Sequence, residues 1–446
     1  MARLLLVTTL CAAAAATAWA SSSSSYCRHV RPAVALATVP GVEYRLLLGG
    51  LARPRAVVED GEGNVLLVES KDRGVTRVVL SGGDDGGCVE AKAEPLIRDR
   101  RLNHGLALSA DGRTLFASSA SDVYAYAYDA VSGTAGPARH VIGGMQQGGH
   151  ATRTLLAPAL HPDLLLVSRG SDGNVDPGTA DVGSARSQIR VFRIAELLAR
   201  RGKPVPYAAG AVLGWGLRNS VGVAQEPTTG NIWSVENSLD DMRRGGRDIH
   251  NGNPGEELNL HGRPDDVHGP FYGRNYGYPA CVTVFDPAGV GAYPGGAATG
   301  QPMAGDHMPA NYSDGWCRRE TLAPRLTFDA HLAPLGLAFA DDGSAAYISF
   351  HGSWNRRPGI GYRVSRVAFA DGQPVHASDS RDAEEKLLWN ADESLCPYRC
   401  FRPVGLAVGR GGDRIFVTSD ATGELVLLTG SGGRGYGRRR PGPSWT

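Results

Sequence analysis

The stretch Asp60-Gly61-Glu62-Gly63-Asn64-Val65-Leu66-Leu67-Val68 joins a turn directly to a run of strand-forming residues. Gly, Asp and Asn supply the backbone conformations of tight turns, whereas a short Val/Leu run suits a buried strand. The same order of turn and strand recurs, with Pro among the turn residues, at 111–117, 161–167, 229–235, 341–349 and 411–418. Six such units predict an all-β fold, a six-bladed β-propeller whose long loops form a funnel-shaped site.

The 446 residues are predicted to contain one propeller domain, over 21–430, because the strand pattern is continuous. Blades in a ring send their connecting loops to a shared face, so residues far apart in sequence can meet in one site. The longest gap between repeats holds a Gly- and Pro-rich segment, 286–314, which is predicted to overhang the funnel or wrap one side. The Gly/Arg-rich tail, 431–446, is predicted to be disordered.

Residues 1–20 have the composition of a secretory signal peptide. Arg3 precedes an apolar run from Leu4 to Ala16, and Ala18-Trp19-Ala20 forms a small-x-small cleavage site. The alternative, a retained anchor, is disfavoured because the run is shorter than the roughly 20 apolar residues that span a bilayer. The sequence therefore predicts a secreted, extracellular protein with no membrane partner.

Removal of the signal peptide takes Cys11 away and leaves six cysteines, an even set that suits an oxidising compartment. Six cysteines allow many pairings, and the sequence alone does not select one. Proximity in the chain favours three disulfides, namely Cys396 with Cys400, Cys281 with Cys317, and Cys27 with Cys88.

Positive and negative charges balance, with 46 Lys and Arg residues against 45 Asp and Glu residues. No basic stripe is present, so there is no electrostatic argument for a nucleic-acid partner. The chain also has no Walker phosphate-binding loop, no Gly-x-Ser-x-Gly and no His-Glu-x-x-His. These absences disfavour the P-loop, serine-hydrolase and zinc-peptidase classes.

Polar and aromatic side chains are concentrated in segments next to the predicted strands. His150, framed by glycines, could act as a general base because an imidazole titrates near neutral pH. Arg218-Asn219 could bind a carboxylate or a developing oxyanion. The segment 351–356, His-Gly-Ser-Trp-Asn-Arg, offers a platform for a planar anion. A structural or surface role is the alternative for each.

The region 236–259 is rich in side-chain oxygens. Its carboxylates include Asp240, Asp241, Asp248, Glu256 and Glu257. A hard cation such as calcium prefers oxygen ligands, and this region is therefore the best candidate for a calcium site. Because the spacing is not that of an EF-hand loop, a solvated acidic surface is the competing interpretation.

Taken together and in this order, these segments resemble the soluble glucose and sorbosone dehydrogenases, quinoproteins that use pyrroloquinoline quinone (PQQ) with calcium. The resemblance runs from about Arg53 to Leu428, and its most specific parts are 351–356 with 361–362, 275–279, 256–259 and 402–404. The signal peptide, the cysteines and the segment 149–154 look closest to the fungal PQQ-dependent pyranose dehydrogenases, auxiliary activity family twelve.

The resemblance implies that a sugar hydroxyl is oxidised with His150 as the general base. Arg218 and Asn219 match the pair beside the quinone carbonyls, where Arg218 would stabilise the reduced cofactor. The PQQ ring and carboxylates would be held by Arg55, His351, Trp354, Asn355 and Arg402. Asn103 and His104 match a loop that contacts substrate or cofactor. Calcium would be bound by the main-chain carbonyls of Ser238 and Leu239.

Two positions depart from the bacterial glucose enzymes. Those enzymes place Asp immediately before the base, where this chain has Gly149, so another group must orient His150. The calcium loop lacks their Gly-Pro pair. The expected substrates are therefore those of the fungal relatives: 2-ketoglucose, L-fucose or similar aldoses. Electrons would pass to an external acceptor, such as a copper polysaccharide monooxygenase or a cytochrome.

Two other functions fit a propeller with a polar funnel. A calcium-dependent lactonase would use side-chain carboxylates and amides around its cation, where this chain has His, Arg and Trp in the PQQ-like positions. A non-catalytic propeller would bind protein or glycan. Buried arginines in a funnel weigh against that inert role, because such charges need an anionic partner.

Overall fold

Six mainly antiparallel sheets follow one another along the chain in the computed structural model, which describes residues 30–82, 89–146 and 148–430. We number these sheets blades one to six in chain order. The innermost strands of neighbouring blades contact one another around a closed ring. The predicted six-bladed β-propeller is confirmed, and each predicted repeat supplies the second strand of one blade.

The first three blades are built from these strands, given from the inside outward. Blade one contains Pro54–Glu59, Val65–Glu69, Gly74–Ser81 and Glu90–Arg98. Blade two contains Leu102–Leu108, Thr114–Ser119, Val123–Asp129 and Arg139–Gly143, with the additions Thr134–Ala135 and Val205–Pro206. Blade three contains Leu155–Leu156, Leu164–Arg169, Gln188–Arg193, Ala211–Trp215 and the parallel Arg274–Asn275.

The other three blades follow the same plan. Blade four contains Ser220–Gln225, Ile232–Glu236, Glu256–Gly262 and Leu326–Phe328. Blade five contains Pro334–Phe339, Ala345–Phe350, Arg363–Ala370, Glu384–Asn390 and Leu36–Thr38, with the addition Gln373–Pro374. Blade six contains Pro403–Val408, Arg414–Ser419, Glu424–Thr429 and Glu43–Leu48.

Short elements connect the blades. Two small hairpins pair Arg243–Arg244 with Arg247–Asp248 and Cys281–Thr283 with Pro302–Ala304. The α-helices are Ile194–Ala199, Pro287–Val290 and Asp314–Glu320. The 3-10 helices are Pro177–Ala180, Val182–Ser184, Tyr207–Ala209 and Glu393–Leu395.

The N-terminal part of the described chain closes the ring. Glu43–Leu48 is the outermost strand of blade six, where Tyr44 lies opposite Leu428. The preceding strand, Leu36–Thr38, pairs with the outer strand of blade five. Both ends of the domain are therefore hydrogen-bonded into the last two blades.

The strand Val65–Glu69 explains why the repeats are uninterrupted apolar runs. Its side chains alternate between two faces. Leu66 and Val68 pack in the cluster shared with blade two, and Val65 and Leu67 pack in the cluster shared with Phe416 of blade six. Because a blade is covered on both faces, a polar residue on either face of this strand would be buried.

The innermost strands approach closely enough to require glycine. A Cβ atom at Gly105 would lie 2.1 Å from the carbonyl oxygen of Arg153, and one at Gly405 would lie 2.3 Å from that of Arg55. These strands surround a central cavity of about 570 Å³ with mostly apolar walls. The polar chemistry of the protein therefore lies in the loops.

The long insertions of blade four pack on one another. Val290 and Met303, from the predicted capping segment 286–314, share an apolar cluster with Leu239 and Met242. Two predicted disulfides are confirmed, Cys281–Cys317 and Cys396–Cys400. The predicted Cys27–Cys88 pair, the signal peptide 1–20 and the tail 431–446 lie outside the described residues, and the domain boundaries stay predictions. No helix within the described ranges is long and apolar enough to cross a membrane.

Candidate active site

Loops of blades three to six meet at a cavity of about 220 Å³. Seven of the predicted site residues line it, although they are spread over more than 250 positions of the chain: His150, Arg218, Asn219, Ser238, His351, Trp354 and Arg402. The cavity is also lined by Asn237, Asp240, Glu256, His331, Ala333, Leu335, Gly352 and Ser353. The ring closure thus brings together most of the residues that the sequence singled out.

Five predicted site residues do not line this cavity: Arg55, Asn103, His104, Leu239 and Asn355. His104 instead lines the central cavity, and its Nδ1 accepts a hydrogen bond of 3.2 Å from Arg55 Nε. The Asn103 side chain donates to the carbonyl oxygen of Ala151, 2.9 Å away, and so supports the loop that carries His150. These residues surround the cavity rather than face it.

His150 is held from one side only. Its Nδ1 lies 3.1 Å from the carbonyl oxygen of Ser171 and 3.0 Å from Ser171 Oγ. Its Nε2 has no hydrogen-bond partner among the described residues, and the ring lines the cavity. Burial, with the positive charge of Arg218 as the second cause, lowers the pKa of His150 to about 4. His150 is therefore a neutral imidazole with a free nitrogen at neutral pH.

The backbone before His150 explains why no carboxylate precedes it. Gly149 has a φ of +43°, and a Cβ atom there would lie 2.2 Å from the carbonyl carbon of Asp172. Both the left-handed conformation and the lack of space exclude a side chain. An Asp at this position, as in the bacterial glucose enzymes, does not fit this loop.

Arg218 is fixed by a dense set of acceptors. Its guanidinium donates to Asp240 Oδ2 at 3.0 Å, to Asn174 Oδ1 at 2.9 Å and to the carbonyl oxygen of Asn237 at 3.2 Å. The neighbouring Asn219 side chain lines the cavity and makes no hydrogen bond among the described residues. Arg218 is thus a preorganised cation, and Asn219 has free donors and an acceptor for a bound molecule.

Asp240 connects Arg218 to a histidine, His331, that sequence reasoning missed. His331 Nδ1 lies 3.6 Å from Asp240 Oδ1, and His331 Nε2 lies 2.7 Å from the carbonyl oxygen of His250. Although burial alone would lower it, the facing carboxylates of Asp240 and Glu256 raise the pKa of His331. Burial raises the pKa of Glu256 to about 7. His331 has no motif around it, so only the fold reveals its place in the cavity wall.

Asp420 joins two predicted cofactor residues and was also missed. Its Oδ2 accepts from Arg55 Nη1 at 2.7 Å, and its Oδ1 lies 2.9 Å from His351 Nε2. Burial acts against ionisation, but His351 and Arg55 lower the pKa of Asp420 overall. Arg55 is therefore connected to the cavity wall through Asp420 and His351. In the sequence, Asp420 lies 365 positions from Arg55 and 69 positions from His351.

Asp420→Asn should destabilise this network. The substitution leaves the buried Arg55 guanidinium without a carboxylate, and we expect the free energy of unfolding to fall by about 2 kcal/mol. Denaturant unfolding of the cofactor-free protein measures this change. In the control Asp413→Asn, the carboxylate is 76% exposed and 3.9 Å from Arg414, so the effect should stay below about 0.5 kcal/mol. Equal stability of the two variants would contradict a structural role for the Asp420 network.

Arg402 is a partly buried cation that forms no ion pair among the described residues. Within the described residues its guanidinium donates only to the main-chain oxygens of His351 and Gly352, at 2.9 and 2.8 Å, and it forms no ion pair. Burial lowers the pKa of Arg402. Nearby, Trp354 lines the cavity and is 67% exposed, which excludes the alternative of a core tryptophan. An exposed indole beside an unneutralised guanidinium is a suitable environment for a planar anion.

The structure gives the predicted calcium ligands different surroundings. Ser238 lines the cavity, and its N–H donates to Glu256 Oε2 at 2.7 Å. Leu239 is 2% exposed, and its side chain lies in the apolar cluster with Met242. No group of three or more His, Cys, Asp or Glu side chains in the described part of the chain could hold a metal ion. The carboxylates of 236–259 therefore do not form a side-chain cation site there.

Comparison with known proteins adds independent information. The model of the TrAA12-like family matches residues 36–431. A PQQ-dependent sugar dehydrogenase of Hypocrea jecorina (strain QM6a) is 44% identical over 404 residues, covering 89% of this chain and 90% of the relative. A PQQ-dependent pyranose dehydrogenase of Coprinopsis cinerea is 36% identical over 413 residues, covering 89% of this chain, but the match spans only 55% of that longer protein.

A solved structure is similar over nearly the whole described chain. It is the calcium structure of a Trichoderma reesei protein of Carbohydrate-Active Enzymes Family AA12, with a TM-score of 0.86 and 43% sequence identity. The match covers 90% of this chain and 99% of that one. Because the family match, the dehydrogenase relatives and this fold agree, the predicted oxidoreductase family is confirmed: the chain belongs to the TrAA12-like proteins, auxiliary activity family twelve.

Proposed function

We propose that this protein is a PQQ- and calcium-dependent sugar dehydrogenase that oxidises a hydroxyl group of a pyranose. One cavity is lined both by His150, whose Nε2 is free, and by Arg402, whose partly buried guanidinium forms no ion pair among the described residues, and this observation carries the proposal. Relatives named as PQQ-dependent sugar and pyranose dehydrogenases support the same activity.

The donor set of the cavity fits PQQ. The cofactor carries three carboxylates, and the guanidinium groups of Arg218 and Arg402 line the cavity together with the His331 imidazole. Charge-assisted hydrogen bonds from guanidinium to carboxylate are among the strongest polar contacts in proteins. Near the cavity, both polar amide atoms of Asn355 are buried and have no hydrogen-bond partner in the described part of the chain. A cofactor carboxylate would satisfy the charge of Arg402 next to His351, and the exposed ring of Trp354 would cover the planar ring system.

The reaction assigned to these residues begins with proton transfer. His150 Nε2 takes the proton of the substrate hydroxyl, which makes the attached carbon a better hydride donor. PQQ, when bound, supplies the electrophilic quinone that accepts the hydride, and calcium polarises it. Arg218 is held rigidly by Asp240 and Asn174, so it presents positive charge to the developing anion without reorganisation.

Calcium is assigned to main-chain oxygens in this proposal. The carbonyls of Ser238 and Leu239 are the proposed ligands, since calcium accepts backbone carbonyls readily. The hydrogen bond from the Ser238 N–H to Glu256 fixes the peptide that precedes the proposed Ser238 carbonyl ligand. The side chain of Leu239, the second proposed ligand, is fixed by its packing in the apolar cluster. This packing does not involve the main-chain oxygen of Leu239, which is therefore available to calcium.

The substrates proposed are 2-ketoglucose, L-fucose or similar aldoses. Electrons would leave to an external acceptor, a copper polysaccharide monooxygenase or a cytochrome. The proposed location is extracellular, which agrees with the two disulfides of the described chain.

A PQQ titration of the calcium-loaded protein tests the proposal. We expect saturable binding, followed by sugar-dependent bleaching of the quinone absorption to that of the quinol when L-fucose or 2-ketoglucose is added. Parallel samples without sugar and without calcium are the controls. Absence of PQQ binding would reject the dehydrogenase function and favour the calcium-dependent lactonase or the non-catalytic propeller.

A further inference from the structure

The hydrogen bonds around His150 determine which of its nitrogens carries the proton. The carbonyl oxygen of Ser171 lies 3.1 Å from His150 Nδ1, and a carbonyl oxygen can only accept. If Nδ1 were unprotonated, two lone pairs would face each other across this distance. The contact therefore favours a hydrogen on Nδ1.

The second contact of Nδ1 gives the same result. Ser171 Oγ donates its single hydrogen to the carbonyl oxygen of Gly173 at 2.7 Å. Only lone pairs of Oγ then remain for His150 Nδ1, 3.0 Å away. Both oxygens of Ser171 thus act as acceptors of one N–H group.

We infer that Ser171 is the positioning residue of the general base, and that it holds His150 in the tautomer with hydrogen on Nδ1 and a free lone pair on Nε2. This inference rests on the proposed function and deepens it. Gly149 leaves no room for a side chain directly before the base, so the group that orients His150 comes from another part of the chain, Ser171.

Ser171 is well placed for this role because its main chain is fixed as well. It is fully buried, and its N–H donates to the carbonyl oxygen of Arg218 at 2.8 Å. Its carbonyl oxygen also accepts from the N–H of His150 at 3.1 Å. One residue therefore positions the backbones of both His150 and Arg218, the proposed base and the proposed oxyanion-stabilising cation.

The tautomer is the one that the proposed reaction needs. The proton of the substrate hydroxyl would move to Nε2, bound PQQ would accept the hydride from the carbon that carries this hydroxyl, and the C–OH group would become a carbonyl. His150 becomes an imidazolium whose Nδ1–H keeps both acceptors on Ser171. With hydrogen on Nε2 instead, His150 would present a donor to the substrate and could not take the proton.

Nitrogen-15 NMR of histidine-labelled, cofactor-free protein tests the tautomer without any activity. The signals of His150 are identified by their loss in His150→Ala. We expect the shift of a protonated nitrogen for Nδ1 and that of an unprotonated nitrogen for Nε2 at pH 7. The reverse assignment in the wild-type protein overturns the inference.

Ser171→Ala then tests the positioning role in the holoenzyme. The variant keeps the carbonyl acceptor but loses Oγ, and we expect kcat to fall by about tenfold, with KM and PQQ affinity unchanged. In the same variant the NMR signals should show a mixture of both tautomers. The matched control is Ser168→Ala, which removes another buried hydroxyl whose bond goes to the carbonyl oxygen of Ser220; this control should retain wild-type kcat.

The possible outcomes distinguish a failure of the Ser171 positioning role from a failure of the proposed dehydrogenase function. Unchanged kcat and an unchanged tautomer in Ser171→Ala would overturn the role of Ser171, even if His150→Ala is inactive. Equal losses in Ser171→Ala and Ser168→Ala would also overturn it, because they would show a general packing effect. Absence of sugar oxidation in the wild-type protein would instead reject the proposed function, while the tautomer measurement would still stand.

Discussion

His150→Ala is expected to lower kcat by about 1,000-fold while PQQ binding is retained, because a positioned general base typically contributes about 100- to 10,000-fold. The side chain lines the cavity, but no protein group among the described residues depends on its Nε2. Steady-state oxidation of L-fucose or 2-ketoglucose measures kcat, and PQQ absorption measures cofactor binding. Turnover at the wild-type rate would remove His150 from the mechanism.

The matched control is His140→Ala. His140 lies ten positions earlier, its side chain is 38% exposed, and it pairs with Asp122 at 2.7 Å outside the cavity. This variant should keep wild-type kcat. A loss equal to that of His150→Ala would indicate a general effect of histidine removal on the fold.

The pH dependence of the wild-type enzyme should report the same base. His150 must be neutral to accept a proton, and burial with the charge of Arg218 lowers its pKa to about 4 from 6.5. As the pH is lowered from 7, we therefore expect kcat/KM to show no decrease around pH 6.5. It should fall only as the pH approaches about 4, where the His150 imidazole becomes protonated. An acid limb centred at pH 6.5 in the wild-type enzyme would contradict the buried, neutral state of this residue.

Arg402→Ala is expected to weaken PQQ binding by about 100-fold, because truncation of one partner of a buried charge pair costs about 2–5 kcal/mol. The guanidinium has only two carbonyl acceptors among the described residues, so its charge is free for a cofactor carboxylate. Titration with PQQ measures the dissociation constant. Arg402→Lys should give an intermediate value, since an ammonium group cannot donate to both carbonyls in the same planar geometry.

The control for this prediction is Arg366→Ala. Arg366 also belongs to the propeller, but it pairs with Glu385 between the outer strands of blade five and does not line the cavity. PQQ affinity should be that of the wild type. Normal PQQ affinity in Arg402→Ala, with an unchanged unfolding midpoint, would remove Arg402 from the cofactor site.

Much of the fold could be predicted from local sequence. Runs such as 65–68 are continuous and apolar because a blade is buried on both faces, and the turn residues before each run mark where the innermost strand ends. The strands at the N-terminus were not predicted. Glu43–Leu48 pairs with residues near 428, and no local pattern specifies a partner at that distance.

Only some of the predicted site residues line the cavity. His150, Arg218, Trp354 and Arg402 stand in short polar segments that attract notice, and all four line one cavity. Arg55 and His104 also stand in such segments, yet they lie behind the cavity wall. A motif identifies a residue with chemical capacity, but the path of the backbone decides whether its side chain faces the cavity.

The sequence by itself determined the six strand repeats and the polar segments that carry the candidate base and the candidate cations, and proximity in the chain favoured the two disulfides that the structure confirms. Only the tertiary structure decided their partners: Ser171 for His150, Asp240 for Arg218, and Asp420 for Arg55 and His351. The physical reason is that turn and strand preferences act over a few residues, whereas these contacts join loops of different strands and blades. Their geometry exists only once the ring has closed.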